Sequence, residues 1–572
     1  NKRPDRIVKS FKIRFSMSDC ILVAVAWPYA NGPLHLGHIA GSYLPADIFA
    51  RFHRLFGSKV LMVSGSDAHG TPITLKAESE GVQPQEIVER YHSSFLESWR
   101  RFGISFDLFT STMTENHKNT VQDIFRKLLE KKYIYTDKML VAYSVDFDRY
   151  LPDRYVGGIC PHCNFDQARG DQCDSCGQTL DPVDLIDPYY TRNNKKHPVE
   201  IKEAEHLFLS LSSFQEELQK WIGGKDSWRA NVKNFTIGYL NEGLKDRAIT
   251  RNLEWGIPVP VEGYDDRRIY VWFEAVIGYL SASIEWAKLS GEPNSWRDFW
   301  EKPESRSYYF MGKDNIPFHT VIWPSILLGY GGLNLPTDVP ANEYLGVEGR
   351  KLSTSRNWAV WLNDYLNDFD PDPLRYYLAA AMPESSDSNF SWSEYIRRNN
   401  DELVATFGNL VHRVLTLVHN NFDGSTPLGN VDSELVAYAD LTMIKVSESL
   451  NFSPRFKEAL GHAMALAHET NRFLDYRAPW KQVREDKDGA SNTLASALYS
   501  IACLKVVLYP FLPFTSQKLH ELLGFSDNIE DHGWEIRPPS PGLDLPKPEP
   551  LFVKLDDKIA SEMVAKLGSY AD

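Results

Sequence analysis

His35 and His38 stand three residues apart in Pro33-Leu34-His35-Leu36-Gly37-His38, directly after a Pro/Gly turn. If a helix begins there, both imidazoles project from one face beside the unpaired N–H groups and the positive dipole end of its first turn, a setting suited to phosphate. Gly37 between them would leave room for a flat base or a phosphate to approach the backbone. A metal-binding pair or two surface histidines would show the same spacing. More than 300 residues downstream, Gly349-Arg350-Lys351-Leu352-Ser353-Thr354-Ser355-Arg356 forms a cationic, hydroxyl-rich segment. It suits the charge that develops on a triphosphate leaving group, although alone it reads equally as a solvated loop. Together the two elements imply nucleotidyl transfer.

Four of the six cysteines are arranged as Cys-x2-Cys-x9-Cys-x2-Cys, at Cys160, Cys163, Cys173 and Cys176. Two tight knuckles that each supply two thiolates match the tetrahedral, closed coordination of a structural Zn2+, with a rubredoxin-like iron site as the chemical alternative. His162, inside the first knuckle, is not expected to be a ligand. Cysteines grouped for metal rather than for disulfides point to a reducing, cytoplasmic setting.

The elements that must position these groups follow from hydrophobic pattern. Residues 20–27 (CILVAVAW) form a continuous apolar run, read as a strand buried on both faces, and a helical pattern starts near His35. Residues 59–67 give a second strand and 71–79 the start of a second helix, the β-α-β-α order of a parallel sheet with ligands at its carboxyl edge. Residues 139–190 interrupt that order with the cysteines and several Asp/Pro turns, as an inserted module would. Strands are expected again at 267–273, 307–312 and 342–347, with a helix at 317–329 between the last two. Beyond Trp392 the pattern becomes long amphipathic helices at 394–420, 434–450, 454–475 and 488–509. The Pro-rich stretch 538–550 reads as an extended linker to a last helix near 556–567.

The expected fold class is therefore α/β, a split Rossmann-like parallel sheet with an inserted zinc-knuckle module, followed by an all-α helical bundle. The expected division is an N-terminal extension at 1–19, sheet halves at 20–138 and 231–340, and the insertion at 139–230. A loop and linking region at 341–391, the helical domain at 392–535 and a Pro-rich tail at 536–572 complete it.

Composition sets the limits. The 572 residues are 43% hydrophobic and 24% charged, a globular balance. A net charge of −14 argues against indiscriminate binding to polyanions or an anionic membrane surface, while leaving room for a local basic face. The longest apolar runs are shorter than the roughly 20 residues of a membrane span. The first sixteen residues are basic without an apolar core and precede Met17; they read as upstream sequence or, less simply, a transit peptide.

HLGH and KLSTS are similar to the HIGH and KMSKS signatures of class I aminoacyl-tRNA synthetases. AWPYANGPLHLGH, GSDAHGTPI, YVWFEAVIGY, GKDNIPFH and NRFLDYRAPW further resemble the methionyl-tRNA synthetase family in order and spacing, from residue 20 to about 510. The resemblance implies activation of L-methionine with ATP and Mg2+ and transfer to the 3′ end of tRNA(Met), by a protein expected to be monomeric and free of membranes. It implies catalytic roles for His35, His38, Lys351 and Arg251, and ATP contacts from Asn31, Gly37, Asp314, Ser353, Thr354 and Ser355.

It further implies a methionine pocket of Trp27, Tyr29, Asp67, Trp272, Ala275, Tyr279, Phe318, His319 and Trp323. A short acid at a strand end suits an α-ammonium group, and aromatic walls suit a thioether; Asp67 could equally cap the following helix. Asn409, Arg413 and Trp480 correspond to anticodon readers, with Arg397, Arg398, Arg472, Arg477 and Lys481 near phosphates; a Trp packed between helices is the alternative for Trp480. The chain departs from the family pattern at Thr354, where a second lysine is usual, at Glu274, where Asp is usual, and at Trp27, where some members have Leu. A sister synthetase for an aliphatic amino acid, or a retired synthetase that only binds RNA, would share many of these features.

Overall fold

The computed structural model describes residues 19–170, 173, 175–176, 180–192, 195–354 and 356–568. The N-terminal extension except Asp19, and Ser355 of the KLSTS segment, lie outside the described residues. At the centre is a five-stranded sheet in the order Ala341–Asn342, Arg306–Gly312, Cys20–Val25, Lys59–Ser66, Leu108–Ser111, with every neighbouring pair parallel. Cys20–Val25 is buried along its whole length. Its alternate residues enter different cores. Ile21, Val23 and Val25 pack with Phe49, Phe52 and Trp99 of helices Leu44–Phe56 and Pro84–Phe102. Leu22 and Ala24 pack with Ile124, Phe125, Ile277 and Leu280 of helices Glu115–Glu130 and Val271–Leu289. Two apolar faces are what a strand covered by helices on both sides requires.

The strands that flank Cys20–Val25 come from before and after the insertion, so the strand order reverses there. A crevice at the carboxyl ends is the geometric consequence. The insertion is built on a long antiparallel pair, Ile134–Ser144 with Glu200–Leu209. Its outer part is a small sheet ordered Ala168–Arg169, Val156–Ile159, Ile186–Arg192, Lys195–Pro198, which carries the cysteines. Tyr155 Oη ties this module to helix Thr71–Glu80 through Glu78 Oε1 at 3.0 Å.

The segment 267–273 corrects the sequence-based expectation: only Arg268–Ile269 is strand, and Val271–Leu289 is a helix with Tyr270 at its N-cap. The aromatic and β-branched run satisfies strand propensity, but Phe273, Val276, Ile277 and Leu280 recur at helical spacing against the second core, and that burial decides.

In the helical domain Ser433–Leu450, Phe456–Arg477 and Lys487–Leu508 pack on one another. Among the described residues Lys487–Leu508 is the one helix long and apolar enough to cross a membrane, with mean hydropathy 1.3, and 83% of that stretch is buried inside the protein. Its apolarity belongs to the bundle's centre. The Pro-rich stretch is docked rather than extended into solvent: Ser425 pairs with Asp544, and the Thr426 N–H donates to Leu543 O at 2.9 Å. The last helix, Lys558–Lys566, lies against Trp392–Arg398, and the Gly568 N–H donates to Asn357 O at 3.1 Å, at the base of the KLSTS turn.

The two halves of the molecule meet around one buried carboxylate. Asp47 accepts from Arg375 Nη2 at 2.6 Å, from Arg51 Nε at 2.9 Å and from the Ser105 N–H at 2.7 Å, and its side chain and that of Arg375 are both 0% exposed. Arg375 also donates to Pro510 O and Phe511 O of the bundle, and Arg51 to Tyr509 Oη. Burial alone would raise the Asp47 carboxyl, but Arg51 and Arg375 more than offset it and hold it at about 2. Removing one member of such a cluster leaves a buried charge without compensation. Asp47→Asn is therefore expected to lower unfolding free energy by about 3–5 kcal/mol in urea titrations. Because the folded value lies below 3.8, the wild-type contribution is complete above about pH 4 and fades as pH falls toward 2. A loss under about 1 kcal/mol would show that the cluster is dispensable.

Candidate active site

The HLGH turn is a short helix, Leu36–His38, that continues through a wider turn, Ile39–Tyr43, into Leu44–Phe56. His35 and His38 stack with ring centroids 3.8 Å apart and planes 15° apart. The first N–H groups are not open to an anion as the spacing suggests. The His35 N–H donates to His38 Nδ1 at 3.2 Å, Leu36 N–H to Val360 O and His38 N–H to His35 O. An anion here would meet imidazoles rather than a row of free amides. Burial keeps both rings neutral, with His35 lowered to about 4 and His38 well below its usual value. Since His38 Nδ1 accepts, its Nε2 carries the proton and is the donor that it can offer. His35 Nδ1 is buried and finds no partner among the described residues.

The KLSTS segment closes directly over this turn. A Cβ at Gly37 would lie 2.6 Å from Leu352 Cδ1 and 3.0 Å from the His35 ring. The room expected above Gly37 is thus filled by protein, and a side chain at 37 would have to displace the Leu352 methyl. His35 bridges Trp361, and the Leu362 N–H donates to Leu34 O at 2.8 Å, zippering the loop's exit to the turn. The loop is a tight hairpin: Ser353 and Trp358 exchange N–H···O bonds of 3.1 and 2.9 Å, and Asn357 takes the left-handed conformation, φ 48°. Trp358 Nε1 donates to Val347 O and Trp361 Nε1 to Asn357 Oδ1. Thr354 is exposed at the tip, and Lys351 is exposed on the short strand Arg350–Lys351 that leads into it. Lys351 Nζ lies 5.9 Å from the centroid of the Tyr344 ring.

Beside the turn, Asp67 ends strand Lys59–Ser66 and pairs with Tyr29 through Ala30 N–H to Asp67 O at 3.0 Å and Asp67 N–H to Pro28 O at 2.8 Å. Asp67 is 4% exposed. Burial, reinforced by Glu274, raises its carboxyl to about 8 despite His69. Tyr29 packs on Gly70, where a Cβ would come within 2.3 Å of its ring. Trp272 lies 4.9 Å from Phe318 between ring centroids. His319 Nδ1 donates to Asn315 O at 2.9 Å, so its Nε2 accepts from Tyr279 Oη at 2.7 Å, and burial lowers this histidine to about 4. Trp27 lies against Gly65 and Gly278, whose Cβ atoms would fall 2.2 and 2.6 Å from its ring. Ala275 is half-buried one turn before Tyr279, while Trp323 is fully buried behind this wall, its Nε1 donating to Tyr309 Oη at 3.0 Å. A 70 Å3 cleft lies between Tyr29, Arg154, Arg251, Tyr270 and Trp272. Arg251 stacks on Tyr270 at 4.1 Å and donates to Ala248 O and Thr250 O, and its Nε has no partner among the described residues. Asn31 follows Tyr29 in the same turn, and Asp314 sits exposed beyond strand Arg306–Gly312.

Residues that sequence reasoning passed over complete the pocket. His69 Nδ1 lies 2.9 and 3.1 Å from the two Glu274 carboxylate oxygens. His117 Nδ1 pairs with Ser281 Oγ at 2.8 Å, and its ring lies 6.3 Å from Trp27. The signal for the first was Glu274 itself, a charged residue on the apolar face of a core helix.

The four cysteines converge, with Sγ–Sγ distances of 3.9 Å for Cys160–Cys176 and 3.6 Å for Cys163–Cys173. Four thiolates 2.3 Å from a tetrahedral Zn2+ lie about 3.8 Å apart, so the set could hold zinc. Burial pushes the Cys173 thiol up, but N–H donation from Cys176 and Ser175 outweighs it and brings it down to about 7. A second cluster, His520, Asp527 and His532, is close enough for a metal but is already joined by hydrogen bonds of 3.0 and 2.9 Å to Asp527. Lys505 Nζ donates to His520 Nδ1 at 3.0 Å, so the His520 proton sits on Nε2 and points at Asp527.

In the bundle, Asn409 opens helix Asn409–Asn421 exposed, and the Arg413 guanidinium lies 5.0 Å from the Trp480 ring centre. Trp480 is 38% exposed. It lies in the first turn of helix Pro479–Glu485, which starts where Ala478 breaks the preceding helix with φ 48°. Arg397, Arg398, Arg472 and Arg477 are each paired with acids of the bundle, as Arg413 is with Asp475 at 3.1 Å.

An HLGH turn clasped by a KLSTS loop at the switch point of a split parallel sheet defines a class I nucleotidyl-transfer site. Comparison with known proteins narrows the class. The family described as tRNA synthetases class I (M) matches residues 21–415, and that described as anticodon binding domain of methionyl tRNA ligase matches 426–572. The methionine–tRNA ligase of Dehalococcoides mccartyi is 53% identical over 556 residues, covering 96% of this chain and all of that one. That of Roseiflexus castenholzii is 50% identical, covering 96% of this chain and 99% of its own. Mycobacterium tuberculosis methionyl-tRNA synthetase in complex with methionyl-adenylate superposes with TM-score 0.78 at 25% identity, over 94% of this chain and 99% of that one. The chain belongs to the class I tRNA synthetases of the methionyl (M) family.

The cysteine geometry makes a prediction that is independent of catalysis. Metal-free protein titrated with Co2+ should take up one ion per chain at this module, with intense thiolate charge-transfer absorption and a tetrahedral visible band. Cys173→Ser should lose most of the charge-transfer intensity. Absence of thiolate bands in the wild type would show that the cluster does not bind metal.

Proposed function

We propose that this protein is a methionine–tRNA ligase, which activates L-methionine with ATP and Mg2+ to methionyl-adenylate and pyrophosphate and then charges tRNA(Met). The observation that carries the reading is the closure of the KLSTS loop on Gly37 beside a buried carboxylate and an aromatic wall. The triphosphate signature, the buried carboxylate and the aromatic wall all gather at the carboxyl edge of one parallel sheet.

In this reading the Asp67 carboxylate takes the substrate α-ammonium group, and Trp27, Tyr29, Trp272, Ala275, Tyr279, Phe318 and His319, with Trp323 behind, enclose the thioether side chain. Aromatic walls favour an unbranched, polarizable sulfur chain through sulfur–aromatic contact and exclude β-branched rivals by shape. Asn31, Gly37, Asp314, Ser353, Thr354 and Ser355 border ATP. A methionine carboxylate oxygen attacks the α-phosphorus in line, and the bond to the β-phosphate oxygen breaks as pyrophosphate leaves. Mg2+ bound to the phosphates would neutralise part of their charge. His35 and His38 act as neutral hydrogen-bond donors to the reacting phosphate. Lys351 and Arg251 supply the positive charge that the neutral imidazoles do not, and with Thr354 in place of a second lysine Lys351 bears more of the loop's share. A hydroxyl of the terminal adenosine then attacks the adenylate carbonyl and AMP departs. Asn409, Arg413 and Trp480 read the anticodon by stacking and edge hydrogen bonds, and Zn2+ on the four cysteines holds the insertion's fold.

Amino-acid-dependent ATP–pyrophosphate exchange tests the reading. Exchange should depend on methionine and not on leucine, isoleucine or valine. Lys351→Ala should reduce it roughly 100- to 1,000-fold, and Gly37→Ala, which drives a methyl into Leu352, roughly 10- to 100-fold. Exchange driven by a branched amino acid would reassign the substrate, and tRNA binding without any exchange would leave an RNA-binding protein.

Burial of Asp67 adds a second signature. Its carboxyl, raised to about 8 in the empty site, must ionise to hold an ammonium group. Below pH 8 methionine binding should therefore release close to one proton, and affinity should rise with pH up to that value. Calorimetric titrations at pH 7 in buffers of different ionisation enthalpy measure the release, and equal apparent enthalpies in all buffers would refute it.

A further inference from the structure

Three ionisable groups, Asp67, His69 and Glu274, are buried in one crevice at the end of strand Lys59–Ser66, and only one of them faces substrate in the reading above. Glu274 is 0% exposed and stands in the first turn of helix Val271–Leu289, where the helix dipole favours a carboxylate. His69 Nδ1 lies within hydrogen-bond distance of both Glu274 oxygens, at 2.9 and 3.1 Å. The His69 N–H approaches Asp67 Oδ1 at 3.4 Å, so this one residue touches both acids. Trp255 caps it edge-on with ring centroids 5.6 Å apart, and Trp255 Nε1 donates to Ala68 O, fixing the backbone between the two.

Two carboxylates this close compete for protons, because each ionised acid raises the cost of ionising the other. Substrate brings a single ammonium charge. The crevice must then present one uncompensated negative charge, not two and not none.

We infer that His69 is a positioning residue: protonated on the Glu274 carboxylate, it offsets that charge in part, and so keeps Asp67 as the carboxylate available to the substrate α-ammonium. The inference rests on the assignment of Asp67 above and extends it to two residues outside the pocket wall. The other groups facing this cluster do not supply the missing charge. Tyr29, in contact through the Asp67 bridge, and Tyr279 on the same helix as Glu274 are both raised by burial and stay neutral. His117, on helix Glu115–Glu130, is lowered to about 3 by burial and by His69, and stays neutral as well. Arg251 directs its guanidinium to the carbonyls of Ala248 and Thr250 and to Asp153 at 3.9 Å. Consistent with the pairing, Glu274 raises the imidazolium of His69 above its usual range against the effect of burial.

Opposite responses to two substitutions test it. Glu274→Gln keeps shape and hydrogen-bonding capacity but removes the competing carboxylate, so Asp67 should ionise at lower pH. The acid limb of the pH profile of KM for methionine, read by ATP–pyrophosphate exchange, should move down by about one pH unit. Proton release at pH 7 should fall in step. His69→Gln leaves the Glu274 charge without its partner, so the same limb should move up by a similar amount and KM at pH 7 should rise about tenfold, with kcat at saturating methionine changed much less. Glu274→Asp should retain the wild-type limb. If His69→Gln proves unstable, the Glu274 pair and the calorimetric proton count decide alone. Limbs that stay in place, or move the same way in both variants, overturn the inference while wild-type exchange keeps the functional reading intact. A wild type that shows no methionine-dependent exchange removes both.

Discussion

The Asp47 carboxylate, buried without contact to solvent, sets the terms for the rest of the molecule. A charge in a low-dielectric interior must be neutralised where it lies. The guanidinium groups that do so reach it from helix Leu44–Phe56 and helix Pro371–Ala380, and their other donors go both to Gly103 O and to Pro510, Phe511 and Tyr509 of the bundle. The same helix begins a few residues after His38. The HLGH turn, the sheet and the bundle that carries Trp480 are thereby tied to one point. Separating them would expose an uncompensated charge as well as apolar surface.

The loop opposite the HLGH turn is braced on several sides. Leu352 fills the space above Gly37, Trp358 and Trp361 donate to backbone and side-chain oxygens, and the Gly568 N–H reaches Asn357 O. The chain's last described helix thus ends on the segment that carries Lys351. Lys351 itself projects from this frame exposed. A lysine charge is cheaper to keep in water than to bury unpaired. The histidines follow the complementary rule: they are buried, so they are neutral, and they offer oriented donors in place of charge.

Burial also determines which pocket residues can act. Burial, with Glu274 beside it, makes Asp67 resist ionisation. Trp27 fits because Gly65 and Gly278 remove the side chains that would collide with it. A large residue at a wall position and two glycines from a strand and a helix form one steric unit.

Several features were legible in residue order alone. The alternating strands and helices, the interruption of the sheet by an insertion, the four thiols and the pairing of HLGH with KLSTS all depend on local pattern, period and spacing, which a linear chain displays directly. What escaped were quantities that depend on neighbours distant in sequence. Whether 267–273 was strand or helix depended on which core Phe273 and Ile277 entered. The amides of the HLGH turn looked free until His38 and Val360 were seen to occupy them. The room above Gly37 belonged to Leu352, and the arginines expected at phosphates were claimed by acids of the same bundle. Protonation states were hidden for the same reason, since burial and the pairing of His69 with Glu274 join residues 205 positions apart. The chain alone determined which chemical groups were present and the rhythm that folds them. Tertiary structure alone decided which of those groups were already satisfied by one another, because desolvation and hydrogen-bond competition act through space and leave no periodic trace in sequence.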